Sequence, residues 1–159
     1  MAEKQIVCCT DFSENAEAAF VKALEMAEKY IAKLLVIHVL PPVATPMFTG
    51  MDTLSSMQLL PEEPKKNLIL QIEERMQQEY GDRIGDKVDY QLIVLDGHVS
   101  TEILTFLNEN PVDIVVVGSY GLTGMGLVFF GSVAKRISYK APCSVMIVRN
   151  REKIKEKPE

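Results

Sequence analysis

The residues in this 159-residue chain best suited to chemistry are glycines. Gly118-Ser119-Tyr120-Gly121 is followed, nine residues later, by Gly131-Ser132. The first glycine closes an apolar run and the last pair opens a helical pattern. A phosphate site needs glycine where backbone must approach a ligand closely. It also needs free amides at a helix start, where the dipole favours an anion. Gly131, Ser132 and Val133 can supply such amides, and the Ser132 hydroxyl adds a donor. On spacing alone, a shaped turn with Ser132 as helix cap is an equal reading. The segment is not a Walker A loop, because Phe129-Phe130 precede Gly131-Ser132 and no Gly-Lys-Ser/Thr occurs. It is not the dinucleotide fingerprint either. The first apolar run leads into Thr10-Asp11-Phe12-Ser13, which has no glycine.

Other candidates are weaker. His38 and His98 lack a second ligand at helical or hairpin spacing, so no zinc site is expected. Cys8 and Cys9 fall in one apolar run and read as packing on opposite faces. Cys143 follows Pro142 near a strand start, and a redox role there is the minor reading. Asp113 stands at the wrong end of its strand. Lys135 and Arg136 read as a solvated helix face.

The elements that position these residues alternate. Short apolar runs at 5–10, 33–40, 88–95, 112–118 and 144–149 are predicted strands. Helical patterns fall at 13–30, 65–80, 100–110 and 132–140. In the first, Ala16, Ala19, Phe20, Ala23, Leu24, Ala27 and Ile31 recur at three- and four-residue spacing, and Ser13 caps the start. Apolar strands separated by helices predict an α/β fold: a parallel sheet covered on both faces. Residues 41–64 break the rhythm with five prolines and the methionines Met47, Met51 and Met57. They predict a long loop with at most one short helix, a flap packed on the domain or a partner surface. Residues 151–159 form a charged tail on a single domain of residues 1–150.

Composition excludes several classes. Hydrophobic residues are 47% and charged residues 25%, enough apolar material to offset chain entropy. Seventeen basic against 22 acidic residues give a charge of −5, which argues against nucleic acid as partner. No apolar run reaches the length of a membrane span. The start lacks an apolar signal region, and three cysteines make no disulfide framework, so a reducing cytoplasm is expected.

Taken together, Gly118-x2-Gly121-x9-Gly131-Ser132 resembles the ATP-binding signature of the universal stress protein family. Ile6-Val7-Cys8-Cys9-Thr10-Asp11-Phe12-Ser13-Glu14 resembles that family's first strand and acidic turn, and Ile37-His38-Val39 the end of its second strand. Val115-Val116-Val117-Gly118-Ser119-Tyr120-Gly121 carries Tyr120 where histidine is common, and Ala141-Pro142-Cys143-Ser144-Val145 completes the match. Val99 stands where the family often has proline, and the loop at 41–64 is longer than in compact members. The resemblance implies a five-stranded parallel sheet in order 3-2-1-4-5, Rossmann-like, with ligand at the crevice between strands one and four. It implies a cofactor, ATP, with Mg²⁺ or Mn²⁺ arriving on the phosphates rather than at a metal site of the protein. Asp11 would take the ribose hydroxyls or lie near adenine, with Thr10 lining the same turn. Val39 would bond adenine through its backbone. Gly118, Gly121, Gly131 and Ser132 would cradle ribose and phosphates, with a Val133 amide. The implied activity is a nucleotide-dependent regulatory module in stress response, with no catalytic set and no Arg or Lys in the glycine loop. The alternatives are a slow ATPase or autophosphorylating enzyme using Ser132 or Ser119, and a nucleotide-independent interaction module. The apolar run at 144–149, at the sheet edge, predicts a homodimer by strand pairing, and 41–64 is the candidate surface for another protein.

Overall fold

The computed structural model describes residues 2–42, 44–46, 57–59, 62–119 and 131–150. Five parallel strands form the sheet: β1 (Gln5–Cys9), β2 (Lys33–Leu40), β5 (Tyr90–Asp96), β6 (Ile114–Gly118) and β7 (Ser144–Val148). Their spatial order is β5-β2-β1-β6-β7, the predicted 3-2-1-4-5 arrangement. Two short strands, β3 (Ala44–Pro46) and β4 (Met57–Leu59), pair antiparallel in a separate hairpin. The helices are α1 (Glu14–Tyr30), α2 (Glu62–Met76), a one-residue-wider π turn at Gln77–Gly81, α3 (Asp82–Ile84), α4 (Val99–Glu109) and α5 (Ser132–Lys140).

Side-chain alternation along the strands makes two cores. On one face Ile6, Cys8, Leu34, Val36 and Val116 meet Ala19, Phe20, Ala23 and Ala27 of α1, Met76 at the end of α2 and Tyr80 in the π turn. On the other, Val7, Leu35, Ile37, Val115 and Val117 meet Ile103 and Leu107 of α4 and Ala134 and Ile137 of α5. Small alanines on α1 let the helix lie close to the sheet, and Phe20 fills what they leave. Cys8 and Cys9 do face opposite cores.

Ser13 caps α1 as its type predicts, its Oγ accepting from the Ala16 N–H at 3.2 Å. The far end differs from the periodic reading. Ile31 adopts the left-handed region (φ 51°) in a Schellman-type stop, with Ile31 N–H to Glu28 O and Ala32 N–H to Ala27 O. That reversal turns Ile31 to solvent, 89% exposed, and off the apolar stripe.

The described residues of the predicted loop at 41–64 include strand and helix. Its first three hairpin residues and last three lie in β3 and β4, and α2 begins at Glu62 rather than at 65. Pro64 is compatible with that start, because a first-turn residue has no intrahelical acceptor for its N–H. Residues 47–56 and the tail 151–159 lie outside the described residues. Among the described residues, no helix is long and apolar enough to cross a membrane.

Candidate functional site

The site follows from where two neighbouring strands send their chains. β1 and β6 pair in parallel, Ile6 with Ile114 and Cys8 with Val116. After β1 the chain rises to α1 on one face, while α5, which follows β6, covers the other. The two helices lie on opposite faces, and in open sheets of this kind the carboxyl ends of such a strand pair border the ligand crevice. Thr10 and Asp11 leave β1 there; Gly118 and Ser119 leave β6 at the same end.

The first turn is tightly specified. Asp11 Oδ1 accepts from the Ser13 N–H at 3.0 Å, and Thr10 Oγ1 accepts from the Phe12 N–H at 3.0 Å. Between them Phe12 takes φ 63°, a conformation that is unusual for a bulky residue. Its ring is gripped on several sides: the Arg75 guanidinium lies 4.0 Å from its centroid, Tyr80 stacks at 5.9 Å and His38 sits at 4.8 Å. Thr10, buried, also shares a 2.5 Å hydrogen bond with the Tyr80 hydroxyl. The π turn helps present Tyr80 inward, where it is 1% exposed. Burial first, offset partly by the Thr10 hydroxyl, pushes the Tyr80 phenol up to about 12. His38 Nδ1 lies 2.8 Å from the Thr10 carbonyl, which can only accept, so Nδ1 carries the proton. Burial lowers the His38 pKa, with Arg75 adding to the effect and the Thr10 carbonyl and Asp11 opposing it.

Val39 lies one strand over. Lys33 N–H reaches Lys4 O and the Ile37 carbonyl accepts from Thr10 N–H at 2.8 Å, so odd residues of β2 present their main chain towards β1. β1 pairing ends at Cys9 opposite Ile37. The N–H and C=O of Val39 therefore point to the crevice side, past the last β1 residue. Its side chain is buried in the second core.

On the other wall, Gly118 has a packing reason to be glycine. A Cβ there would meet the Asn15 carbonyl carbon and oxygen of α1 at 2.8 Å. Ser119, the next residue, alternates to the face of Val117 and the second core. Its N–H donates to Val148 O and its carbonyl accepts from the Gly131 N–H at 2.7 Å. Its Oγ is buried with no hydrogen-bond partner among the described residues. Such a buried orphan costs about 1–3 kcal/mol. Gly131 precedes α5 with φ −58°, which any residue adopts, and among the described residues no side chain caps the helix. The first amides of α5 thus have no intrahelical acceptor. Ser132 is exposed beside them. Gly121 lies outside the described residues.

Arg136 is the residue the sequence reading placed wrongly. Its Nη1 donates to Ser100 Oγ at 3.0 Å and Thr101 Oγ1 at 3.3 Å at the start of α4, rather than lying on a solvated face. A signal existed: Arg136 is four residues after Ser132 and so shares its face. Asp113, as expected, is remote from the crevice, its Oδ2 accepting from the Gln5 N–H at 2.8 Å. The thiols are held protonated by burial, Cys9 up to about 12 and Cys8 also well raised. Among the described residues, no three His, Cys, Asp or Glu side chains gather at metal-binding distance.

The model of the universal stress protein family matches residues 3–149. The chain belongs to the universal stress protein family. A universal stress protein of Methanocaldococcus jannaschii is 30% identical over 152 residues, covering 94% of this chain and 84% of that one. One from Thermus aquaticus is 30% identical over 146 residues, covering 92% and 98%. Among solved structures, the universal stress protein UspA from Lactobacillus plantarum superposes with a TM-score of 0.73 at 22% identity, covering 94% and 100%. A universal stress protein from Archaeoglobus fulgidus in complex with dAMP gives 0.61 at 20% identity, covering 92% and 97%. One from Arabidopsis thaliana with AMP bound gives 0.58 at 19%, covering 98% and 97%. These likenesses show that the doubly wound universal stress protein fold is shared.

Proposed function

We propose that this universal stress protein binds an adenine nucleotide, ATP, in the crevice between β1 and β6 and acts as a nucleotide-dependent regulatory module in stress response. The observation that supports it most is the convergence, at one end of two paired strands, of an acid from the first turn and the uncapped amides of α5. Dipole and amides there favour phosphate. The ordinary backbone of Gly131 fits the reading: its conformation does not call for glycine, and a bare Cα leaves room for a ligand to approach. Universal stress proteins of the same fold carry AMP or dAMP.

In this reading Asp11 accepts from the ribose hydroxyls and the Val39 main chain pairs with the edge of adenine. Gly118, Gly121, Gly131 and Ser132 line ribose and phosphates, and Val133 offers an amide. Thr10, whose hydroxyl engages Phe12 and Tyr80, lines the same turn beside the ligand. Mg²⁺ or Mn²⁺ enters bound to the phosphates and water. The homodimer through β7, the partner surface around 41–64 and the cytoplasmic setting belong to the same proposal.

Titration calorimetry with ATP, ADP and AMP tests it. Asp11→Asn keeps an acceptor for the Ser13 N–H but removes the charge. It is expected to weaken nucleotide binding by about tenfold to a hundredfold, the equivalent of about 1.5–3 kcal/mol for a charged hydrogen bond. Absence of heat with all three nucleotides sinks the reading.

A further inference from the structure

The helices α4 and α5 begin on the same face of the sheet, at the same end, and Arg136 spans the gap between their starts. It is half-buried, and among the described residues its hydrogen-bond partners are neutral hydroxyls: Ser100 Oγ at 3.0 Å and Thr101 Oγ1 at 3.3 Å. His98 Nδ1 lies 3.2 Å from that same Thr101 hydroxyl. No carboxylate pairs with Arg136 among the described residues. A cation is thus held at the positive pole of α4, where the helix dipole opposes it. The hydroxyls fix the direction of the guanidinium without compensating its charge. A second polar group near the start of α5 also lacks a counterpart among the described residues. Ser119 Oγ is buried and without a partner among the described residues, on the sheet face it shares with Val117, and the Ser119 carbonyl accepts from the Gly131 N–H that precedes α5.

We infer that Arg136 makes the binding of nucleotide depend on the number of its phosphates. The inference rests on the nucleotide reading above and extends it to a residue outside the glycine signature. Arg136 stands four residues along α5 from Ser132, roughly 6 Å on the axis, and helical side chains lean back towards the helix start. A first phosphate against the α5 amides leaves the guanidinium uncompensated. A chain of phosphates running from there towards α4 reaches it and meets a planar fork that takes two oxygens at once. Tri- and diphosphates therefore gain a charge-assisted contact that a monophosphate does not.

The test compares wild type, Arg136→Gln and Arg136→Lys by calorimetry with ATP, AMP and inorganic tripolyphosphate, with circular dichroism to check folding. Arg136→Gln is expected to lose about tenfold on ATP and on tripolyphosphate and less than about twofold on AMP. Arg136→Lys, which keeps the charge without the fork, is expected to lose about threefold on ATP, and it carries the test if Arg136→Gln fails to fold. An unchanged ATP-to-AMP ratio in a folded Arg136 variant overturns the inference. Tripolyphosphate binding that depends on Arg136 in a wild type blind to ATP and AMP upholds this site and overturns the nucleotide reading. A wild type that binds none of the three overturns both.

Discussion

His38 is where residue-level chemistry at the crevice is most exposed to pH. Its neutral form is favoured in the fold, chiefly by burial, so its pKa lies below the ordinary 6.5. The unfolded chain then binds the proton more readily than the folded one. Stability contributed by the neutral ring is fully present above about pH 6.5 and is lost as pH falls from there towards the folded value. In urea unfolding between about pH 7.5 and about pH 5.5, the wild type is expected to lose more stability than His38→Gln, which cannot titrate. Parallel loss in both proteins overturns the assignment. The charged groups facing His38 are Asp11 on the first turn, which raises its pKa, and Arg75 on α2, which lowers it further, so the slope belongs to the cluster. Sequence reading reached Asp11, Val39 and Ser132 through their motif, but not this cluster. Tyr80 and Arg75 arrive from a helix more than sixty residues beyond Phe12, and no local spacing announces that meeting.

At the scale of elements, the contact between α1 and β6 explains one of the signature glycines in purely steric terms. A methyl at Gly118 would stand 2.8 Å from the Asn15 backbone, and backbone yields less easily than a side-chain tip. Gly118→Ala is expected to push α1 outward and to cost about 1–3 kcal/mol in thermal or urea unfolding, whether or not ligand is present. An unaltered midpoint excludes the steric account. Strands and helices of the sheet were legible because each apolar run or stripe had one period. The segment from 41 to 64 was not, because its prolines and methionines follow neither period. There the hairpin of β3 and β4 rests on backbone pairing, and the α2 start depends on proline being harmless in a first turn. Ile31 shows the converse. It keeps the stripe's spacing, yet the left-handed stop places it in solvent.

For the whole molecule, strand order was inferred from family resemblance and alternation rather than from any pairwise signal, and the sheet matches it. That order leaves β7 at an edge. Ser144 N–H and Val148 O bond towards β6, so the main-chain groups of Val145 and Ile147 face outward. Pairing of two such edges is expected to give a sedimentation mass about twice 17.8 kDa at micromolar concentration. Val145→Pro removes an outward donor without touching the β6 ladder and is expected to shift the mass to that of one chain. A single-chain mass for the unaltered protein overturns the dimer. The buried Tyr80 has a practical use as well. The sequence holds five tyrosines and no tryptophan, so no indole drowns phenol emission. Tyr80 sits wedged between Phe12 and Phe20 with its hydroxyl tied to the residue that begins the first turn. A native phenol thus lies against the first turn, and a change in the packing there alters ultraviolet emission without any label attached.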